Sequence, residues 1–528
     1  MLFNSYVFLF GFLPAVITIF YLIQKLNFDK KYIILWLIFS SLFFYGWWNP
    51  PYLILLISSV VINYFFGQLL NRQKSSIILI LSISFNLVLL GYFKYFNFFL
   101  ENAAYFFDTS FNFANIILPL AISFFTFQQI IYLLDSAKGL TAKYKFHEYA
   151  LFVTFFPQLI AGPIVNHKNI MPQINDASFG CFKVENLAVG ISIFFIGLFK
   201  KVVIADTLSG YVGPVLDANE VGIQLTYIES WLGMIAYSFQ LYFDFSGYSD
   251  MAVGLARIFG IILPVNFWSP FRSRNIAEFW RKWHITLSDF IKNYLFFPVS
   301  MKFTRIAMYK RLNSVSTFGL TVFIPMLYAW GLAGLWHGAA WNFIIFGLMH
   351  GFYLIIYQLW SQTSKPKIQS KIFSFLGNGL SIALTYLCVV FSWVFFRTNS
   401  VESALSLSKT MIGFYGITLP ESFKAFIPSF LSENNFIQYG SALQNGLLTS
   451  NPENLIYILF ACSFIIFYMP NIFEYFKFHH NTTERMDHES KIKIYWGHNI
   501  FSALVISILA TLAIMHLQGE SEFLYYQF

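Results

Sequence analysis

The stretch Gly331-Leu-Ala-Gly-Leu-Trp-His337-Gly-Ala-Ala-Trp341-Asn-Phe-Ile-Ile-Phe-Gly347 decides how this chain is read. An imidazole sits between two tryptophans, with apolar residues for a helix length on either side. No acidic or basic residue occurs between Arg311 and Lys365 apart from the histidines. Such a run belongs in a bilayer, where an ionisable side chain is costly and is by default a functional hypothesis. The small residues Gly331, Ala333, Gly334, Gly338, Ala339 and Ala340 allow neighbouring backbone or a ligand to come close.

The composition places the rest of the chain in the same environment. Of 528 residues, 57% are hydrophobic and only 11% charged, too apolar a balance for a soluble core of this length. The net charge of +8 does not point to nucleic acid, because lysine and arginine fall in short clusters between apolar runs, as in cytoplasmic loops. Cys181, Cys388 and Cys462 have no ligand spacing and read as small core residues. The N-terminus lacks a basic start and a cleavage site, so it reads as a retained first helix.

Runs long enough to cross a bilayer lie near 5–24, 32–48, 52–70, 77–96, 115–134, 187–205, 226–243, 315–335, 340–360, 375–396, 455–474 and 499–517. Segments near 146–165 and 245–300 are too polar to span and too apolar for free loops. They read as re-entrant or interfacial helices, which implies a cavity, since irregular backbone survives at depth only inside protein or beside water. The clusters Lys302/Arg305/Lys310/Arg311, Lys365/Lys367/Lys371 and Lys477/Arg485/Lys491/Lys493 face the cytoplasm on this reading. Residues 398–454 and the tail 519–528 are then extracytoplasmic. One membrane-embedded domain covers 1–528.

Several stretches carry polar chemistry. Ser123, Thr126 and Gln129 share a helix face, suited to interhelical hydrogen bonding or a pore lining. Phe155-Phe-Pro157-Gln-Leu-Ile-Ala-Gly162-Pro163 reads as a broken helix whose freed backbone needs partners. Lys200, Lys201 and Asp206 sit at a helix end, where a solvated or snorkelling role is expected. Asp244, in an aromatic helix, needs a cationic or hydrogen-bonding partner. Around His284 the periodicity is helical, with Trp280, His284 and Leu287 on one face, and Arg272, Arg274, Arg281 and Trp283 alternate guanidinium groups with rings. That suits an anionic, planar-headed donor such as a nucleotide-bearing thioester, or else an interfacial helix on acidic lipid. No histidine and carboxylate pair has metal spacing, and no metal is expected.

These motifs together resemble the bacterial membrane-bound O-acyltransferase (MBOAT) family, in its alginate and peptidoglycan O-acetyltransferase branch. The resemblance rests on Glu278-Phe-Trp-Arg-Lys-Trp-His284 and Leu335-Trp-His337-Gly-Ala-Ala-Trp341-Asn-Phe, and is collinear over nearly the whole chain. It implies an all-α polytopic membrane protein: about eleven to thirteen transmembrane helices in a ring, with re-entrant helices around a central tunnel. It also implies that His337 is the catalytic histidine and His284 its second signature histidine. Trp336, Trp341, Asn342, Asp244, Arg272, Arg274, Arg281 and Trp283 are the expected substrate- or donor-binding residues. No permanently bound cofactor is implied; the donor would be acetyl-CoA from the cytoplasm.

The implied reaction is O-acetylation of a cell-surface or secreted polysaccharide from the inner membrane. An extracytoplasmic serine esterase-like (SGNH-type) partner would complete the transfer. The tail Phe523-Leu-Tyr525-Tyr-Gln-Phe528 resembles the aromatic end of this branch, so Tyr525 is a candidate acyl relay, or else an interfacial anchor. D-alanyl transfer to teichoic acid is the alternative within the class. A transporter or flippase would account for the broken helices, but not for a tryptophan-bracketed histidine without a charged partner.

Overall fold

A chain this apolar can satisfy its backbone in a bilayer only by closing hydrogen bonds within helices, and the computed structural model is built almost wholly of them. It describes residues 1–109, 116–362, 371–419, 437–439, 452–477, 479 and 490–517. The expected tail, with Tyr525, lies outside the described residues, as do parts of 398–454.

All twelve expected spans coincide with helices. Seven among the described residues are long and apolar enough to cross a membrane, and Asn454–Tyr468 and Ile500–Met515 are shorter apolar helices. The other three differ from expectation in instructive ways. Lys30–Gly46 is a helix of 17 residues. The helix expected from 115 begins only at Ile122, because Ala121 adopts a left-handed conformation (φ 61°) after Pro119. The run expected to end at 243 continues unbroken as Tyr227–Ile258. Residues 245–258 are therefore not a re-entrant segment but the second half of a central helix, buried from Ala236 to Ala256. Its polar side chains escaped a hydropathy reading because protein, not lipid, surrounds them. Lipid-type exposure is found instead on outer helices, at Ile54, Val88, Leu380 and Phe501.

Glycine determines how the central helix packs. Gly190 and Gly197, seven apart on the helix Val184–Phe199, face Gly254 and Gly247, also seven apart. A Cβ on Gly190 or Gly254 would lie 2.6 Å from the other's carbonyl oxygen, and the Gly197–Gly247 pair is equally close. Two antiparallel backbones thus touch, as small residues permit between membrane helices. A side chain there cannot be relieved by a rotamer change, since the obstruction is backbone. Gly254→Val is expected to destabilise by at least about 1–3 kcal/mol. Gly210→Ala, with nothing within 4 Å of the added atom, should be neutral. Thermal unfolding of both variants in detergent checks the contrast; equal stability would remove glycine contact as the packing determinant.

Polar ties hold the remaining helices. Asn63 and Asn86 exchange side-chain hydrogen bonds of 2.6 and 3.2 Å, and Ser59 donates to Gln129 at 3.2 Å. The two lysines expected to be solvated or snorkelling turn inward instead, Lys201 buried and Lys200 partly so. A π-helical turn, Lys200–Ala205, widens the helix so that consecutive lysines both reach the central helix. Lys201 Nζ lies 2.7 Å from Asp244 and 2.6 Å from Asp206, and Lys200 Nζ lies 2.6 Å from Asp250. Asp244 has the cation it requires, and that cation is Lys201. Cys181 is exposed rather than in the core, whereas Cys462 is buried. The start of the segment after Thr398 is ordered: the helix Val401–Met411 packs on the central helix, Trp231 donating to the Met411 carbonyl at 2.8 Å.

Candidate active site

The helix Ile324–His337 ends on the histidine. The apolar run that contains it, Ser314–His337, spans 24 residues, or about 36 Å at 1.5 Å per residue. His337 therefore lies about one membrane thickness from the basic cluster at Lys302–Arg311. A helix that stops inside protein leaves orphan carbonyls, and a neighbouring helix supplies their donors. Tyr95 donates to the Leu335 carbonyl at 3.0 Å, and Lys94 donates to the carbonyls of Trp336 and His337. Lys94 also lies 5.9 Å from the Trp336 ring centre. A cation at a helix C-terminus is favoured by the macrodipole. Lys94 was missed in the sequence, although an isolated lysine in Gly91-Tyr-Phe-Lys94-Tyr-Phe, within a span, is the same kind of signal as His337.

Beyond His337, Gly338 and Ala340 are extended on either side of a bend before the next helix, Trp341–Ser361. The small residues of the motif serve helix contact: a Cβ on Gly334 would meet the Phe343 carbonyl oxygen at 2.1 Å, and one on Gly347 the Trp330 carbonyl oxygen at 2.1 Å. The His337 ring packs edge-on against Trp336 and Phe396, at 4.9 and 5.1 Å between centres. It makes no hydrogen bond among the described residues, and it lines a cavity of about 290 Å³ together with Lys94, Trp48, Ser123, Ile160 and Trp336. The break at Pro157–Pro163 forms one wall. Its freed backbone finds partners elsewhere, Phe156 N–H donating to Ser41 Oγ and Ile164 N–H to Thr286 Oγ1, each at 3.0 Å.

His284 also lies near Trp336, its ring 6.3 Å from the indole. The single helix expected around it is interrupted: Ile276–Trp280 ends, and His284, with φ 42° and ψ 53°, begins Ile285–Phe290. Trp280 and His284 therefore do not share a helix face. The side chain is buried, and Nδ1 lies 3.0 Å from Asn266 Oδ1. That oxygen also accepts from the Thr286 backbone N–H and hydroxyl. Nδ1 must therefore carry the proton, which leaves Nε2 as a lone pair with no protein partner among the described residues. The Trp336 indole N–H is likewise buried without a partner. Two imidazoles near one tryptophan, one of them open to a cavity, are groups that can accept and release protons.

The pattern of the membrane-bound O-acyltransferase family matches residues 134–398, which hold both histidines. A peptidoglycan O-acetyltransferase of Helicobacter pylori is 37% identical over 79% of this chain and 81% of its own length. A probable alginate O-acetylase of Pseudomonas aeruginosa is 36% identical over 78% of this chain and 75% of its own. The chain belongs to the membrane-bound O-acyltransferase family. It is an acyltransferase and a multi-pass membrane protein. A teichoic acid D-alanyltransferase of Bacillus subtilis is more distant, at 31% identity over 48% of this chain and 62% of its own length.

The other residues expected to bind substrate or donor in this acyltransferase divide between cavity and framework. Arg272 and Arg274 line a second cavity, of about 850 Å³, with Glu278, Tyr468 and Lys491. Arg272 is anchored there by donating to the carbonyls of Ile466 (2.8 Å) and Met469 (2.5 Å). Arg281 is exposed and lines neither cavity. Trp283 is buried against Phe279, Phe271 and Trp393, so its faces are already occupied by rings. Trp341 is 55% exposed and donates to Asn102 Oδ1 at 2.9 Å, away from the cavity that Trp336 lines. Asn342 holds the chain at Thr398, donating to its carbonyl at 2.6 Å. Asp244 is an ion-pair residue of the core. His350 is an interhelical tie: it accepts from the Trp280 N–H at 3.2 Å and its other nitrogen lies 2.8 Å from Ser392 Oγ.

Proposed function

We propose that this protein is an O-acetyltransferase of the bacterial inner membrane that takes an acetyl group from acetyl-CoA in the cytoplasm for a cell-surface or secreted polysaccharide. The observation that carries the reading is the His337 imidazole, open to a cavity and without a hydrogen-bond partner among the described residues. A histidine so placed can accept a proton from a hydroxyl as that oxygen attacks the acetyl carbonyl, since its ordinary pKa is near neutrality. The new C–O bond forms, the C–S bond of the thioester breaks, and the proton held on His337 is available to the departing thiolate. His284, with Nε2 as a lone pair near Trp336, is a second imidazole available to the same reaction. The second cavity supports a nucleotide donor: Arg272, Arg274 and Lys491 are cations suited to phosphate.

The names of the two acetylating relatives favour acetyl over D-alanyl transfer, because they match far more of the chain. An extracytoplasmic SGNH-type serine enzyme would receive the acetyl group and hand it to the polymer. Tyr525 would carry it between the two as a phenolic ester, an activated ester from which onward transfer is easy. Labelled acetyl-CoA and purified protein test the reading. Covalent transfer to a hydroxyl acceptor, or to Tyr525, is expected; accumulation of label in vesicles without covalent product would favour transport. Acetylation of the cell-surface polymer should fall in a Tyr525→Phe strain, and unchanged acetylation would rule out the relay while leaving the transferase reading intact.

A further inference from the structure

Three residues that no sequence spacing joins meet at the start of the helix Val184–Phe199. Glu185 lies in its first turn, His479 follows the short helix Ile472–Tyr475, and His498 precedes the last apolar helix, Ile500–Met515. One ligand atom from each lies within 4.8 Å of the other two. His479 Nδ1 and Glu185 Oε1 are already 3.0 Å apart. We propose that Glu185, His479 and His498 bind a divalent transition-metal ion, with Zn²⁺ as the best fit. The sequence reading expects no metal because Glu185 lies about 300 residues before the two histidines, which themselves lack ligand spacing, and only the fold brings the three together.

The chemistry of the set favours this ion class. Two imidazoles and a carboxylate suit zinc and its neighbours, whereas magnesium and calcium prefer oxygen shells. Zinc holds nitrogen and oxygen ligands at about 2.0–2.1 Å, which puts them about 3.3 Å apart in a tetrahedron. The Glu185–His479 pair, at 3.0 Å, is near that spacing, and His498, within 4.8 Å of both, must close by up to about 1.5 Å. Its side chain is exposed and Glu185 is half exposed, so both can adjust and an ion can enter from solution. A fourth position is left for water.

The backbones that present these groups are held firmly, as a selective site requires. Trp496 is buried, stacks on Phe476 and donates its backbone N–H to the Tyr475 carbonyl at 2.8 Å. Both histidine rings pack edge-on against that indole, at 5.0 and 4.7 Å, and lie 5.0 Å from each other. Asn499 caps the last helix by accepting from Ser502 N–H at 2.8 Å. Arg257 fixes the His479 backbone by donating to its carbonyl at 3.1 Å. Its positive charge opposes a bound cation, so the Glu185 carboxylate is needed to offset it. A bound ion would staple the last helix to Val184–Phe199, against which that helix packs, and would stabilise the folded protein by mass action.

The test uses the full chain, purified in detergent and stripped with a chelator. Calorimetric titration with Zn²⁺ and absorption spectroscopy with Co²⁺ should report one ion per chain, with a low-symmetry Co²⁺ spectrum and a raised unfolding temperature. Glu185→Gln preserves size and can still accept from His479, and His498→Ala removes an exposed ring. Each should weaken binding at least about tenfold and abolish the thermal shift, while His516→Ala should change neither. Absence of a stoichiometric ion overturns the proposal. So does an ion bound equally well by Glu185→Gln and His498→Ala, since it would then sit elsewhere.

Discussion

His337→Ala is expected to lower acetyl transfer by about 10²–10⁴-fold, the usual contribution of a positioned general base, without changing the elution profile or thermal stability of the purified protein. The structure gives the reason for both halves of that expectation. The imidazole is not a packing tie: its ring nitrogens have no partner among the described residues, and it opens on the cavity shared with Lys94 and Trp336. The helix end on which it sits is held by Tyr95 and Lys94 through backbone carbonyls that alanine retains. A rate within threefold of the unaltered enzyme, measured as labelled acetyl transferred per molecule of folded protein, would remove His337 as the base. His350→Ala provides the contrast. That histidine is hydrogen-bonded on both nitrogens, to Trp280 and Ser392, so its loss should lower stability rather than catalysis selectively.

Lys201→Met is expected to cost about 3–5 kcal/mol, the scale for breaking a buried ion pair from one side. Asp244 and Lys201 each expose only 2% of their side chains, at a separation of 2.7 Å. Methionine fills much of the volume but leaves the Asp244 carboxylate without this cation in a medium that solvates charge poorly. Asp206, which shares Lys201 at 2.6 Å, loses the same partner but is more exposed. The double variant Lys201→Met/Asp244→Leu should recover most of the loss, because a hydrophobic pair can replace a buried ion pair at little net cost. Thermal unfolding in detergent distinguishes these outcomes. If Lys201→Met unfolds at the unaltered temperature, the pair does not hold the central helix as its geometry implies.

Both results concern residues that looked alike along the chain. His337 and Lys201 are ionisable groups in apolar surroundings, yet one faces a cavity and the other a carboxylate. Periodicity and hydropathy locate a helix because lipid and core impose the same apolar demand along its length. That is why every expected span coincides with a helix. The same demand hides the difference between lipid-facing and protein-facing sides. Hydropathy therefore ends the central helix at 243 and gives its polar half, which continues to Ile258, the pattern of a re-entrant or interfacial segment.

The sequence alone determined that the chain is a helical membrane protein. It also placed His284 and His337 within the stretch 134–398 that matches the family's pattern, since apolar run length and motif order are local properties. Only the tertiary structure decided which charged residues pair and which ring faces are occupied. It buried Trp283 among other aromatics, turned Trp341 away from the cavity, and brought Lys94 across to the helix end before His337. It also set Glu185 beside His479 and His498. These outcomes depend on which helix faces meet. That is settled by glycine contacts and buried ion pairs summed over distant segments, which no window of sequence contains.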